Sequence, residues 1–187
     1  DWEEDPVLIP RVTFEGDTGT IENVRDFHYR STEDYDRKFI TRRFQMSKVQ
    51  TVDFILSQFA EWRGMAHAFL TFGYETDTGM EYLAISVEIR KEKGESYSPF
   101  WGMLKQYELA YVLATETDVI KLRTHYRQEP LYLYPIQVEA KYAQQLLKSM
   151  LEQTHRMETE PEFYNTVSNS CMSNVAKHVN AVKPGLV

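Results

Sequence analysis

The sequence predicts an α+β domain, an antiparallel sheet with helices packed on it. Three observations carry this reading. Runs of alternating apolar and polar residues recur along the chain, several of them divided by Gly, Asp and Thr turns. Other stretches space their apolar residues by three and four, as a helix does. No repeat, low-complexity tract or domain boundary divides the 187 residues, so one domain spanning 1–187 is expected. Within it, a small N-terminal hairpin at about 11–24 precedes an α+β core over about 46–182.

The hairpin is read from Arg11–Glu15 and Thr20–Val24 around the turn Gly16-Asp17-Thr18-Gly19. The charged stretch from Asp26 to Arg43 fits a loop or an edge strand. In Met46–Trp62, Val49, Val52, Ile55, Leu56, Phe59 and Trp62 fall at helical steps, and Gly64 is a stop, so a helix is predicted. Strands follow at Met65–Glu75 and Glu81–Arg90 around the turn Thr76-Asp77-Thr78-Gly79. Gly94–Gln106, with Pro99 and Trp101, is a predicted loop. Leu109–Thr115, Val119–Tyr126 and Leu131–Ile136 are predicted strands. Gln137–Glu158 is a predicted helix striped by Tyr142, Leu146, Leu147, Met150 and Leu151, and Pro161 ends the segment. Ser173–Ala181 is a last short helix whose core side is assigned to Met172, Val175, Ala176 and Val179.

Composition narrows the function. Hydrophobic residues are 42% and charged residues 26%, the mix of an ordinary globular chain. The net charge of −7 argues against nucleic acid as a partner and against electrostatic docking on anionic lipid. Aromatics reach 13%, which suits wet apolar clefts and equally a β-rich core. Cys171 is the single cysteine, so an intrachain disulfide and a Cys-based zinc cluster are both excluded. No apolar run approaches the ~20 residues of a membrane span, and no signal peptide is visible at Asp1. The abrupt start suggests a piece of a longer protein, with membrane contact supplied from outside this chain.

The register of the second hairpin can be argued. If paired residues sum to 155, the turn at 76–79 closes, and Ala66, Ala68, Leu70 and Phe72 meet Ile89, Val87, Ile85 and Leu83. That face is wholly apolar, and a one-residue slip would set it against Glu88 and Ser86. The other face then holds His67 opposite Glu88 and Phe69 opposite Ser86. Directly opposed Cβ atoms lie about 5 Å apart, so a carboxylate can orient the imidazole as a base. An exposed cross-strand ion pair is the competing reading. Cys171 follows Asn165-Thr166-Val167-Ser168-Asn169-Ser170, a run rich in helix-capping residues. It should sit in a first helical turn, where free N–H groups and the helix dipole favour the anionic sulfur and can bind an oxyanion. An inert half-buried cysteine is the alternative. Taken together, the signals describe a nucleophile, a base and an orienter: Cys171, His67 and Glu88.

The chain resembles the Lnb N-terminal periplasmic domain family of Gram-negative envelope proteins. The carriers are Asn23-Val24-Arg25-Asp26-Phe27, Met65-Ala66-His67-Ala68-Phe69-Leu70-Thr71-Phe72-Gly73 and Ser86-Val87-Glu88-Ile89-Arg90. Tyr97-Ser98-Pro99, Tyr107-Glu108-Leu109 and Leu122-Arg123-Thr124 continue the set, which ends with Phe163-Tyr164-Asn165-Thr166 before Asn169-Ser170-Cys171. The family looks like a circularly permuted papain-like fold of NlpC or lecithin:retinol-acyltransferase type. There an Asn-Cys pair opens the helix; here Asn169-Ser170-Cys171 is one residue longer. The resemblance implies a periplasmic location at the inner membrane and a lipoprotein N-acyltransferase. Such an enzyme moves an acyl chain from phospholipid to a lipoprotein amino terminus, with no cofactor. Cys171 is then the nucleophile, His67 the base and Glu88 its orienter, while Tyr97, Trp101 and Asn169 are the expected substrate contacts. Three rivals stand beside this reading. One is a cysteine amidase or peptidase acting on cell-wall peptide. Another is a binding module with no catalysis. The third is a metal site drawn from His67, Glu88, His125, His178 or Cys171, for which no HExxH or other tight ligand spacing is present.

Overall fold

Long strands dominate the fold, and apolar clusters pack on both faces of one sheet. The computed structural model of the chain describes residues 8–59, 66–90, 108–165 and 168–185. The strands are β1 (Arg11–Glu15), β2 (Thr18–Arg25), β3 (His28–Tyr29), β4 (Tyr35–Asp36), β5 (Phe39–Gln45), β6 (Val49–Gln58), β7 (Ala66–Thr76), β8 (Gly79–Arg90), β9 (Glu108–Ala114) and β10 (Leu131–Pro135). The helices are α1 (Glu116–Lys121), α2 (Ala140–Met157) and α3 (Cys171–Val182). The main sheet runs β1-β2-β9-β8-β7-β6-β10, and β5 adds to the second edge of β2. All of its pairings are antiparallel except the single β2–β9 contact at Arg25 and Ala114.

The two expected hairpins are present. β1 and β2 close over Gly16 and Asp17, with Gly16 in the left-handed region at φ 60°. The β7–β8 ladder runs from Phe69 opposite Ser86 to Thr76 opposite Gly79, on the register read from the sequence, but the expected pairs Ala68–Val87, His67–Glu88 and Ala66–Ile89 are not part of it. Leu70, Phe72, Leu83, Ile85 and Val87 enter the main core beneath α2 and α3. Phe69 and Ala84 face the other way and pack with Ile55, Val112, Ala114 and Val119 beneath α1. α2 contributes Ala143, Leu146, Leu147, Met150 and Leu151, the spacing expected of an amphipathic helix.

The predicted helix over Met46–Trp62 is instead β6 over its described part. Two causes mimic a helical stripe. A bulge between Val49 and Thr51 adds a residue to the alternation. Beyond it, Val52 and Phe54 face α2 while Ile55 faces the α1 side, so apolar residues on both faces fall three apart. The predicted strand over Val119–Tyr126 is the end of α1 followed by a π-type turn, Leu122–Tyr126. Thr115 caps α1 by accepting from the Asp118 amide, and Glu116 and Asp118 lie in the first turn, where the dipole favours them. Asp118 is fully buried and receives Arg25 Nε at 3.0 Å, Arg25 Nη2 at 2.9 Å and the Phe27 amide at 2.8 Å.

α3 also differs from its predicted face. Met172 is half exposed, and Asn174, Val175 and His178 take the buried side. Hydrogen bonds make this possible: His178 Nε2 lies 2.8 Å from Tyr111 Oη, and Nδ1 lies 2.8 Å from Ser149 Oγ. Burial, with Arg156 and Lys177 nearby, pushes the His178 imidazole down to about 4. The unfolded chain, with an ordinary histidine pKa near 6.5, binds the proton first as pH falls. Stability from this group is therefore full above that value and is lost on acidification toward about 4. Urea denaturation should show a loss of roughly 1.4 kcal/mol per pH unit across this window relative to a His178→Leu variant.

Candidate active site

The end of the sheet where β7 begins and β8 ends carries a cleft of about 320 Å³. Cys171, His67, Glu88, Arg123, Arg127 and Glu129 line it, together with apolar Phe59, Val87, Ile89 and Tyr164. This size is within the range of small-molecule sites. His67 and Glu88 reach it from the α1 face of the sheet; Cys171 comes over the end from the α3 face.

Cys171 is the first residue of α3 and is half-buried. Ser170 is the cap: its Oγ accepts from the Ser173 amide, and the Ser173 hydroxyl accepts from the Ser170 amide. The Cys171 and Met172 amides have no partner among the described residues, as expected of first-turn N–H groups. The Asn169 side chain donates to Glu162 and to the Phe163 carbonyl, and it accepts from Asn174 and Lys177. It therefore anchors the loop that carries Cys171 and does not line the cleft. Tyr97 and Trp101, the other expected substrate contacts, lie outside the described residues.

The imidazole of His67 is held by its neighbours. Its Nε2 is 2.6 Å from Ser86 Oγ and 3.6 Å from Glu88 Oε1. Ser86 donates to Glu88 Oε1 at 2.8 Å, and Arg123 Nη2 reaches the same oxygen at 3.1 Å. Glu88 thus acts on the ring through Ser86 rather than by the direct bond expected from the cross-strand pairing. Burial raises the Glu88 carboxyl, but His67, Arg123, Arg25 and the Ser86 hydroxyl outweigh it and hold the group well below the ordinary carboxylate range. Burial lowers the His67 pKa; Glu88 opposes this, and Arg123 reinforces it. The ring is neutral near pH 7, the state a base needs. Arg123 also stacks over Phe69, with 5.1 Å from its guanidinium carbon to the ring centroid. The expected bond between the Cys171 thiol and His67 is not formed. The two side chains share the cleft without contact through a hydrogen bond.

A family model for the Lnb N-terminal periplasmic domain matches residues 35–187. The chain belongs to this family. It is therefore a periplasmic domain of the cell envelope, and no helix among the described residues is long and apolar enough to cross a membrane. No curated protein and no solved structure matches the chain. The match to the Lnb domain covers every cleft residue named above.

Sequence reasoning missed Arg123, Arg127 and Glu129, which lie in or just after the segment misread as a strand. Ser86 was legible on the His67 face, but its place between His67 and Glu88 was not. Among the described residues, no group of three His, Cys, Asp or Glu side chains is gathered as a metal ion would require. His178 is buried against Tyr111 and Ser149, and His125 bonds its neighbour Thr124.

Because burial and Arg123 outweigh Glu88, an NMR titration should place the His67 midpoint below the ordinary histidine value of 6.5. Removing the Glu88 charge should lower it further in Glu88→Gln. A midpoint that rises in that variant would show that Glu88 does not stabilise the imidazolium.

Proposed function

We propose that this periplasmic domain is a thiol-dependent acyltransferase that moves an acyl chain from a phospholipid to the amino terminus of a lipoprotein. The observation that carries the reading is the convergence of Cys171, at the start of α3, and a neutral, oriented His67 on one cleft. The circularly permuted papain-like arrangement implied by the family resemblance belongs to this reading.

The chemistry follows from the residues. His67 takes the Cys171 thiol proton, directly or through one water. The sulfur attacks the lipid ester carbonyl, and the first-turn amides of α3 stabilise the oxyanion. The ester C–O bond breaks, and the imidazolium returns its proton to the leaving alcohol, giving a lysophospholipid and a Cys171 thioester. The lipoprotein amine then attacks the thioester carbonyl, its proton passes to His67, and the thiolate leaves. Two half-reactions through one covalent intermediate predict ping-pong kinetics. The apolar part of the cleft wall suits a lipid chain, since burial contributes about 0.8 kcal/mol per CH₂. Phe59, on that wall, is 45% exposed, and Met172, next to Cys171, is 50% exposed. These are side chains that a lipid surface would cover.

A second reading has its own observation. Arg123, Arg127, Glu88 and Glu129 make much of the cleft charged, which suits a cysteine amidase or peptidase acting on the ionic groups of a cell-wall peptide.

The test uses the full-length membrane-bound protein with phospholipid and a diacylated lipopeptide, read by mass spectrometry. The expected result is one acyl chain gained on the peptide amine, with a thioester trapped on Cys171, both lost in Cys171→Ser. His67→Ala should slow the transfer by roughly 10²–10⁴-fold, the usual contribution of a general base. Cleavage of muropeptides without acyl gain would overturn the acyl-transfer reading in favour of the peptidase.

A further inference from the structure

Proton bookkeeping around His67 assigns a role to a residue that is neither nucleophile nor base. Ser86 is fully buried and has one hydroxyl hydrogen. That hydrogen is directed at Glu88 Oε1, 2.8 Å away. Glu88 is an acceptor only, because the Arg123 guanidinium at 3.1 Å keeps it charged. With its hydrogen committed, Ser86 Oγ can only accept from His67 Nε2 at 2.6 Å. The Nε2 atom must then carry the ring hydrogen, and the lone pair of the neutral imidazole lies on Nδ1. No described residue bonds Nδ1. A direct His67–Glu88 bond would give the same tautomer, but at 3.6 Å the carboxylate is too far to make it.

We propose that Ser86 is the positioning residue of this site: its buried hydroxyl, held by Glu88, locks His67 in the Nε2–H tautomer and leaves Nδ1 as the basic atom of a ring that lines the cleft. The inference rests on the reading of His67 as the base for Cys171. In each half-reaction the moving proton enters and leaves at Nδ1. The Nε2 and Ser86 hydrogens stay where they are, and Glu88 never receives one. Charge on the ring shortens and strengthens the Nε2–H to Ser86 bond, so the chain stabilises the imidazolium without a proton relay. Ser86 also keeps the ring against Phe69, with which it stacks at 6.0 Å between centroids.

The experiment has two readouts. Long-range ¹H–¹⁵N correlation of the His67 ring in the resting full-length protein, above its titration range, reports the tautomer without any substrate. The expected result is the Nε2–H form in the wild type and a mixture of both tautomers in Ser86→Ala, with Ser86→Thr, which keeps the hydroxyl, restoring the single form. The second readout is acylation of Cys171 by a p-nitrophenyl ester. Its rate should fall by about tenfold or more in Ser86→Ala and recover in Ser86→Thr. The pH midpoint of that rate should move with the His67 titration, which a merely structural role would not cause. A wild-type ring in the Nδ1–H form, or a Ser86→Ala protein that keeps both the pure Nε2–H form and the wild-type pH profile, overturns the proposal. Failure of the acyl-transfer reading looks different: the tautomer pattern is as expected, but Cys171 is never acylated by ester or phospholipid.

Discussion

The register of the β7–β8 hairpin is the constraint on which the remaining structure depends. From Phe69 opposite Ser86 to Thr76 opposite Gly79, it decides which side of the sheet each residue occupies. The parity sends Leu70, Phe72, Leu83, Ile85 and Val87 beneath α2 and α3, and His67, Phe69, Ser86 and Glu88 toward α1. A slip of β8 by one residue would invert the faces of that strand. It would bury Ser86 and Glu88 under α2 and α3 and turn the buried Leu83, Ile85 and Val87 to the other side. The main core therefore enforces the register, and the register places the candidate base. Stability and chemistry lie on opposite faces of the same strands.

The polar face needs its own closure, which comes from two ion pairs at α1. α1 has six residues, too few to be stable alone. Asp118 binds it to the end of β2 through Arg25 and to the chain beyond through the Phe27 amide. Glu88 binds the following π-type turn to β8 through Arg123. Buried charges of this kind are costly when left alone, so each carboxylate is matched by a guanidinium and by further donors. The pairing does more than hold a helix. The same Arg123 that closes the fold keeps Glu88 anionic and lowers the His67 pKa. The packing of the turn after α1 thus adds to the burial that lowers the His67 pKa.

Legibility in the sequence followed the segregation of polar and apolar residues. The β7–β8 hairpin, the N-terminal hairpin and α2 were readable because each puts its apolar residues on one regular face. β6 was not, since its two covered faces and its bulge superimpose into a false helical period. α1 was hidden because β-branched Val119 and Ile120 resemble a strand, while the interactions that make it a helix come from Arg25 and Phe27, more than ninety positions away. The buried side of α3 includes Asn174 and His178, which hydropathy alone assigns to solvent. Cys171, His67 and Glu88, which line one cleft, could be grouped in advance because a strand register and a capping run are local signals. The link through Ser86 and the contribution of Arg123 are tertiary, and no local pattern reports them.

The separation of thiol and imidazole then has a physical consequence. Neither side chain sits on a loose support. Cys171 stands on a capped first turn, Asn169 before it bonds the Phe163 carbonyl, and α3 is fixed to β9 and to α2 by the bonds of His178 to Tyr111 and Ser149. His67 lies within a ladder strand, with Nε2 on Ser86 and its ring on Phe69. Large backbone shifts would break several buried hydrogen bonds, each costing about 1–3 kcal/mol when left unpaired. Rotation of the Cys171 side chain about its single χ1 bond breaks none. In the proposed mechanism, the adjustment that precedes proton transfer falls to the Cys171 side chain or to one bridging water, with the imidazole as the fixed partner. For that mechanism, the orientation of the base is therefore already set in the resting fold, by Ser86, Glu88 and Phe69.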